Sequence, residues 1–80
     1  MKYIITFEKE NMVFKSHELL KEKLEIELIP LPIYIEINYY NGIAPCGFCI
    51  LISDFDLAQV KSILFLENIT IDKLIRLDEF

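Results

Sequence analysis

The segment FCILIS, residues 48–53, is almost wholly apolar and spans only six residues. An apolar run of this length is typical of a strand covered on both faces, because a helix usually needs about ten residues or more. We therefore expect a sheet with this strand near its centre. The rest of the chain must supply the neighbouring strands and the layers that cover them.

Three further segments have the β-branched and aromatic composition of strands, namely residues 2–7, 26–32 and 69–77. The second of these contains Pro30 and Pro32. Proline has no backbone N–H to donate to a neighbour, so it is unsuited to the middle of a sheet. We therefore expect the strand over residues 26–32 to lie at an edge.

Two segments repeat apolar residues at helical spacing, namely residues 12–24 and residues 56–67. Either Ser53 or Asp54 is a suitable N-cap at the start of the second helix. The elements therefore follow one another in the order β-α-β-β-α-β. A short tail, residues 78–80, follows the last strand.

This order predicts an α+β fold of ferredoxin-like topology, in which two helices cover one face of an antiparallel sheet with strand order 4-1-3-2. A chain of 80 residues has room for one domain, which we expect to span residues 1–80.

The segment IYIEINYYNGIAP, residues 33–45, is the least regular part of the pattern. Its first eight residues have strand composition with partial alternation, and Asn41-Gly42 is a strong hairpin signal. These features predict a β-hairpin arm that projects from the sandwich. An extension of the second strand or a mobile flap is also compatible with them.

The overall charge and hydropathy exclude several classes of partner. The net charge is −5, and lysine and arginine form no basic stripe, so we expect no binding to nucleic acid or to an anionic membrane. No secretory signal is visible at the start of the chain, so the cytoplasm is the expected location. Hydrophobic residues make up 54% of the chain, which is compatible with a homodimer or another partner surface.

The two cysteines of the chain, Cys46 and Cys49, form a Cys-x-x-Cys pair at the start of the central strand. In the expected topology this point lies beside Phe7 and the N-terminus of the first helix. Cys46 follows Pro45 in a loop and is expected to be reachable, whereas Cys49 is expected to lie further in. The residue after Cys46 is Gly47, which allows the backbone of a partner to approach closely.

The charge around Cys46 is mixed. A helix N-terminus favours a thiolate, and Lys9 acts in the same direction. Glu8 and Glu10 act against it, because a nearby carboxylate raises the pKa of a thiol. The sequence leaves the direction of the pKa shift open.

The chain resembles a small bacterial family described as selenium/sulfur carrier-like. The resemblance rests on IITF, HELLKEKL, IELIPLP, CGFCILIS and DLAQVKSILF, and it covers nearly the whole chain. It implies that Cys46 carries sulfur or selenium as a persulfide or selenopersulfide, with donor and acceptor proteins as partners and no cofactor. The chain departs from the family pattern at Lys9 and Glu10, where the family tends to have Ser and Thr, and in its longer segment between Pro32 and Cys46.

Four functions remain compatible with these residues. The first is a chalcogen carrier centred on Cys46, in which Cys49 could release the sulfur by forming a disulfide. The second is a dithiol redox module that uses both cysteines. The third is a metal site, for which His17 or a second copy of the chain would have to add ligands. The fourth is a non-catalytic domain that binds a protein or small ligand. None of the four is a self-sufficient enzyme with a full catalytic apparatus.

Overall fold

The computed structural model describes residues 1–77 and contains four strands and three helices in that range. The predicted tail, residues 78–80, lies outside the described residues. A single 3-10 turn precedes the last helix. The elements in chain order are β1 (Lys2–Thr6), α1 (Glu10–Leu20), β2 (Glu27–Pro30), α2 (Ile33–Tyr40), β3 (Phe48–Ser53), the 3-10 turn (Asp54–Asp56), α3 (Leu57–Leu66) and β4 (Lys73–Leu77).

The four strands form one sheet in the order β2-β3-β1-β4, and every neighbouring pair is antiparallel. This is the expected 4-1-3-2 order. The apolar strand β3 lies inside the sheet, and β2 lies at an edge, where Pro30 ends it. The fold is thus α+β and compatible with a ferredoxin-like sandwich.

The hairpin arm predicted over residues 33–45 is wrong, because most of this segment forms α2. The Asn41-Gly42 pair has the positive φ angles of 53° and 83° that a hairpin turn would need. Here these angles end a helix instead, with Asn41 as a left-handed C-cap. Ile35 is fully buried, and its burial favours the packing of α2 against the sheet.

The sheet is covered on both faces, and each face has its own apolar core. Alternating residues of β1 point to opposite faces, so Ile5 packs with α1 and α3 and Ile4 packs with Ile35 of α2. The core under α1 and α3 is the larger of the two. The second core consists of five buried residues, Ile4, Leu31, Ile35, Cys49 and Ile75.

Of the two expected N-cap residues of the second predicted helix, Ser53 acts as a cap, but for the 3-10 turn and not for α3 itself. Ser53 caps the 3-10 turn before α3, and its Oγ accepts a hydrogen bond from the backbone N–H of Phe55 at 3.3 Å. At α1 the cap position is Lys9, whose side chain makes no cap hydrogen bond. Within residues 1–77, none of the helices has both the length and the apolar character needed to cross a bilayer.

Candidate functional site

Cys46 lies in the segment between α2 and β3, at the end of the sheet where β1 meets α1. Its Sγ donates a hydrogen bond to the backbone carbonyl oxygen of Phe7 at 3.1 Å. The expected position beside Phe7 is therefore confirmed. The expected accessibility is wrong, because Cys46 is only 6% exposed. The loop turns the thiol inward, into the same core as Phe7 and Val13, where it packs as a small apolar group.

The surroundings of Cys46 favour the protonated thiol. Burial raises its pKa, and the negative charges of Glu10 and Asp72 raise it further. The direction that the sequence left open is therefore upward.

Cys49 lies on the other face of the sheet. It is 0% exposed and packs in the second core with Ile4, Ile35 and Ile75. Burial raises the pKa of this thiol to about 11. Both cysteines are free thiols, and they belong to different cores on opposite sides of β3.

A polar network that the sequence analysis missed lies close to Cys46 and joins three elements. The hydroxyl of Tyr40 lies 2.7 Å from Thr6 Oγ1 and 2.5 Å from Asp72 Oδ2. The backbone N–H of Lys73 donates to Thr6 Oγ1 at 3.0 Å, and Lys73 Nζ lies 5.1 Å from the centre of the Tyr40 ring. The end of α2 is thereby fastened to β1 and to the start of β4.

The pKa of Tyr40 depends on its contacts in this network and on the nearby Cys46. Burial and the contact with Asp72 raise the pKa of Tyr40 to about 12, so its hydroxyl stays protonated. The charge of Cys46, when ionised, acts in the same direction. A buried tyrosine hydroxyl needs a hydrogen-bond partner. Here both partners lie more than thirty positions away in sequence, so the sequence alone did not identify them.

A polar cavity of about 290 Å³ adjoins this end of the sheet. It shares Asp72 with the network around Tyr40, and its Glu8 directly follows Phe7, the hydrogen-bond acceptor of Cys46. Cys46 itself does not line the cavity. The lining residues are Glu8, Lys9, Met12, Asn68, Thr70 and Asp72.

The ligands required for the metal hypothesis do not converge in the described part of the chain. His17 is partly exposed on α1, and its Nδ1 lies 3.9 Å from Glu18 Oε2. Across residues 1–77, no three His, Cys, Asp or Glu side chains are placed so that they could hold a metal ion.

Residues 2–76 match the family described as "Putative Se/S carrier protein-like". No curated protein gave a significant match, and no solved structure did.

Proposed function

The chain belongs to the Se/S carrier-like family, and from this membership and the site geometry we propose that it carries a sulfur or selenium atom on Cys46. The observation that carries the choice of residue is the contact of Cys46 Sγ with the Phe7 carbonyl oxygen at the polar end of the sheet. Cys49 is fully buried among apolar side chains such as Ile4, Ile35 and Ile75.

The loading step needs a donor that already holds sulfane sulfur, such as a protein or small-molecule persulfide. The Cys46 thiol attacks the outer sulfur of the donor, R–S–SH, and the S–S bond of the donor breaks. The electron pair of that bond and the Cys46 proton leave with the donor as R–SH. The product is Cys46–S–SH, and the same balance holds with selenium as the outer atom.

Discharge is the same exchange in reverse with a different thiol. An acceptor thiolate takes the outer atom and Cys46 is regenerated as a thiolate, so no net oxidation occurs. The opposite-face placement of the two cysteines argues against internal release, in which Cys49 would form a disulfide and expel hydrosulfide. We assign Cys49 a packing role.

The closed structure holds Cys46 in an unreactive state, since its thiol is buried and its pKa is raised. Transfer therefore requires local opening at the site, either spontaneous or on contact with a donor or acceptor protein. A reducing compartment such as the cytoplasm fits this role, because it keeps both thiols free between transfers.

The second candidate is a non-catalytic binding domain, and burial of both thiols favours it. Under that hypothesis the ligand or partner would use the polar cavity or the exposed apolar residues of α2 and α3, among them Ile33, Ile37 and Phe65.

The test of the carrier proposal is the intact mass of the protein after incubation with a persulfide or selenopersulfide donor and removal of excess donor. We expect a gain of one sulfur or one selenium atom that reductant removes. The gain should be absent in Cys46→Ala and retained in Cys49→Ala, which serves as the matched control. An unchanged mass in the wild-type protein would overturn the carrier proposal and leave the binding domain.

A loss of two hydrogen atoms without any gain would instead indicate a Cys46–Cys49 disulfide. That outcome would support the dithiol redox module and would contradict the packing role of Cys49. A gain that persists in Cys46→Ala but disappears in Cys49→Ala would contradict the choice of Cys46 as the carrying residue.

A further inference from the structure

The segment that covers the second face of the sheet is held by few contacts. In α2, only Ile35 is fully buried, whereas Ile33 and Ile37 are 75% and 57% exposed. Burial of one isoleucine side chain contributes about 1.5–3 kcal/mol, which is small beside the stability of a whole domain. The apolar contacts alone therefore hold α2 weakly.

The C-terminal end of α2 is held by polar contacts instead. The Tyr40 hydroxyl bridges Thr6 Oγ1 on β1 and the carboxylate of Asp72, at 2.7 and 2.5 Å. A hydrogen bond to a charged group is stronger than one between neutral groups. Tyr40 therefore joins α2 to β1 and to the start of β4, in addition to the packing of Ile35.

Both thiols depend on this segment for their burial. Cys49 shares its core with Ile35, so displacement of α2 uncovers it. Cys46 follows α2 in the connection between β2 and β3. The backbone N–H of Leu31, where this connection leaves the sheet, donates to the carbonyl oxygen of Gly47, where the connection returns, at 2.9 Å. Movement of residues between these two points therefore shifts the loop that holds Cys46 inward.

We propose that residues 31–47 act as a lid that opens as a unit, taking Cys46 out of the larger core while the rest of that core stays folded, and that Tyr40 is the positioning residue that keeps the lid closed. Opening gives reagents access to both thiols. The functional meaning of the lid rests on the proposed carrier role of Cys46, but the opening itself does not. Such local openings are common in segments that pack through few buried groups.

The experiment measures how fast iodoacetamide alkylates each cysteine in the folded protein, with peptide mapping to assign the label. We expect Tyr40→Phe, which removes one hydroxyl, to raise the rate at Cys49 by about tenfold, the effect of losing one charge-assisted hydrogen bond. Cys46 should become more reactive as well. Cys49 is the cleaner reporter, because burial alone raises its pKa.

Tyr39→Phe is the matched control, since it removes the same hydroxyl from the adjacent, 48% exposed residue. Its rates should stay close to those of the wild-type protein. Asp72→Asn removes the charge from the other partner of the Tyr40 hydrogen bond, so it should reproduce the effect of Tyr40→Phe. Alkylation should also depend on urea less steeply than global unfolding does, because opening the lid exposes less surface.

Equal rates in Tyr40→Phe, Asp72→Asn and Tyr39→Phe would overturn the proposal. So would a urea dependence of alkylation as steep as that of global unfolding. Because the assay uses no sulfur or selenium donor, its outcome is independent of whether Cys46 carries either element. A protein that fails to load but opens as described would lose the carrier proposal and keep the lid.

Discussion

At the scale of single residues, the two cysteines of one short motif occupy different environments. Cys46 has a polar contact to the Phe7 carbonyl and two carboxylates that act on its charge. Cys49 is enclosed by aliphatic side chains. Cys49 faces the second core from within β3, whereas Cys46 precedes the strand and is placed in the larger core by the loop that returns from α2.

The raised pKa of Cys49 predicts a specific loss of stability at alkaline pH. The folded state holds this proton until about pH 11, whereas an ordinary thiol loses it near its reference value of 9.0. The contribution to stability is therefore full below about pH 9 and is lost as pH rises through 11. The free energy of unfolding, measured by urea titration, should fall across this range.

The comparison with Cys49→Ala isolates this effect from other alkaline titrations. The variant should show a flatter decline between pH 9 and pH 11, while Cys46→Ala should keep most of the decline due to Cys49. If the wild-type protein and Cys49→Ala declined in parallel, the burial of Cys49 in the folded state would be contradicted.

At the scale of elements, the sequence predicted the strands and two of the helices from hydrophobic period and composition. The strand β3 was predicted with its observed limits, Phe48–Ser53, because a short apolar run admits few alternatives. The helix α2 was missed for two reasons. IYIEINYY has strand composition, and Asn-Gly serves equally well as a hairpin turn or a helix end, since both need positive φ angles.

The candidate site was predicted only in part, for a related reason. Topology placed Cys46 next to Phe7, because the strand order fixes which strand ends meet. The inward orientation of Cys46 depends on the path of residues 41–47 from α2 back to the sheet. Because α2 was not predicted, the sequence could not indicate this orientation. The contacts of Tyr40 with Thr6 and Asp72 are long-range and were missed for the same reason.

The anchoring of α2 by Ile35 gives a prediction at the same scale. Ile35→Ala should lower the free energy of unfolding by about 2–4 kcal/mol, because it leaves a cavity in the small second core. Ile37→Ala on the exposed side of α2 should change it by less than about 0.5 kcal/mol. Chemical denaturation measures both, and a similar effect of the two variants would contradict the packing of α2 described above.

At the scale of the whole molecule, two cores of unequal size share one sheet. The larger core joins α1, α3 and the inner strands, and the smaller one depends on a single inserted helix. The connection that carries this helix joins β2 to β3, two strands that are direct neighbours and could be joined by a short turn.

This architecture predicts the result of removing the helix. Replacement of residues 33–45 by a short Asn-Gly hairpin should leave the strand order intact and expose Ile4, Cys49 and Ile75. We expect native-like far-UV circular dichroism for the sheet, strong binding of an apolar fluorescent dye, and a tendency to associate. Complete loss of structure would contradict the independence of the larger core, and absent dye binding would contradict the covering role of α2.

Since helices cover both faces, the sheet can contact another copy of itself only through its two outer strands. On β2, Pro30 removes a backbone donor, and on β4, Lys73 and Arg76 place charged side chains along the strand. Prolines and lysines at such positions discourage the addition of a further strand from another chain. A homodimer, if this chain forms one, is therefore expected to join through outward apolar residues of its helices, such as Phe65 of α3, and not by extension into an eight-stranded sheet.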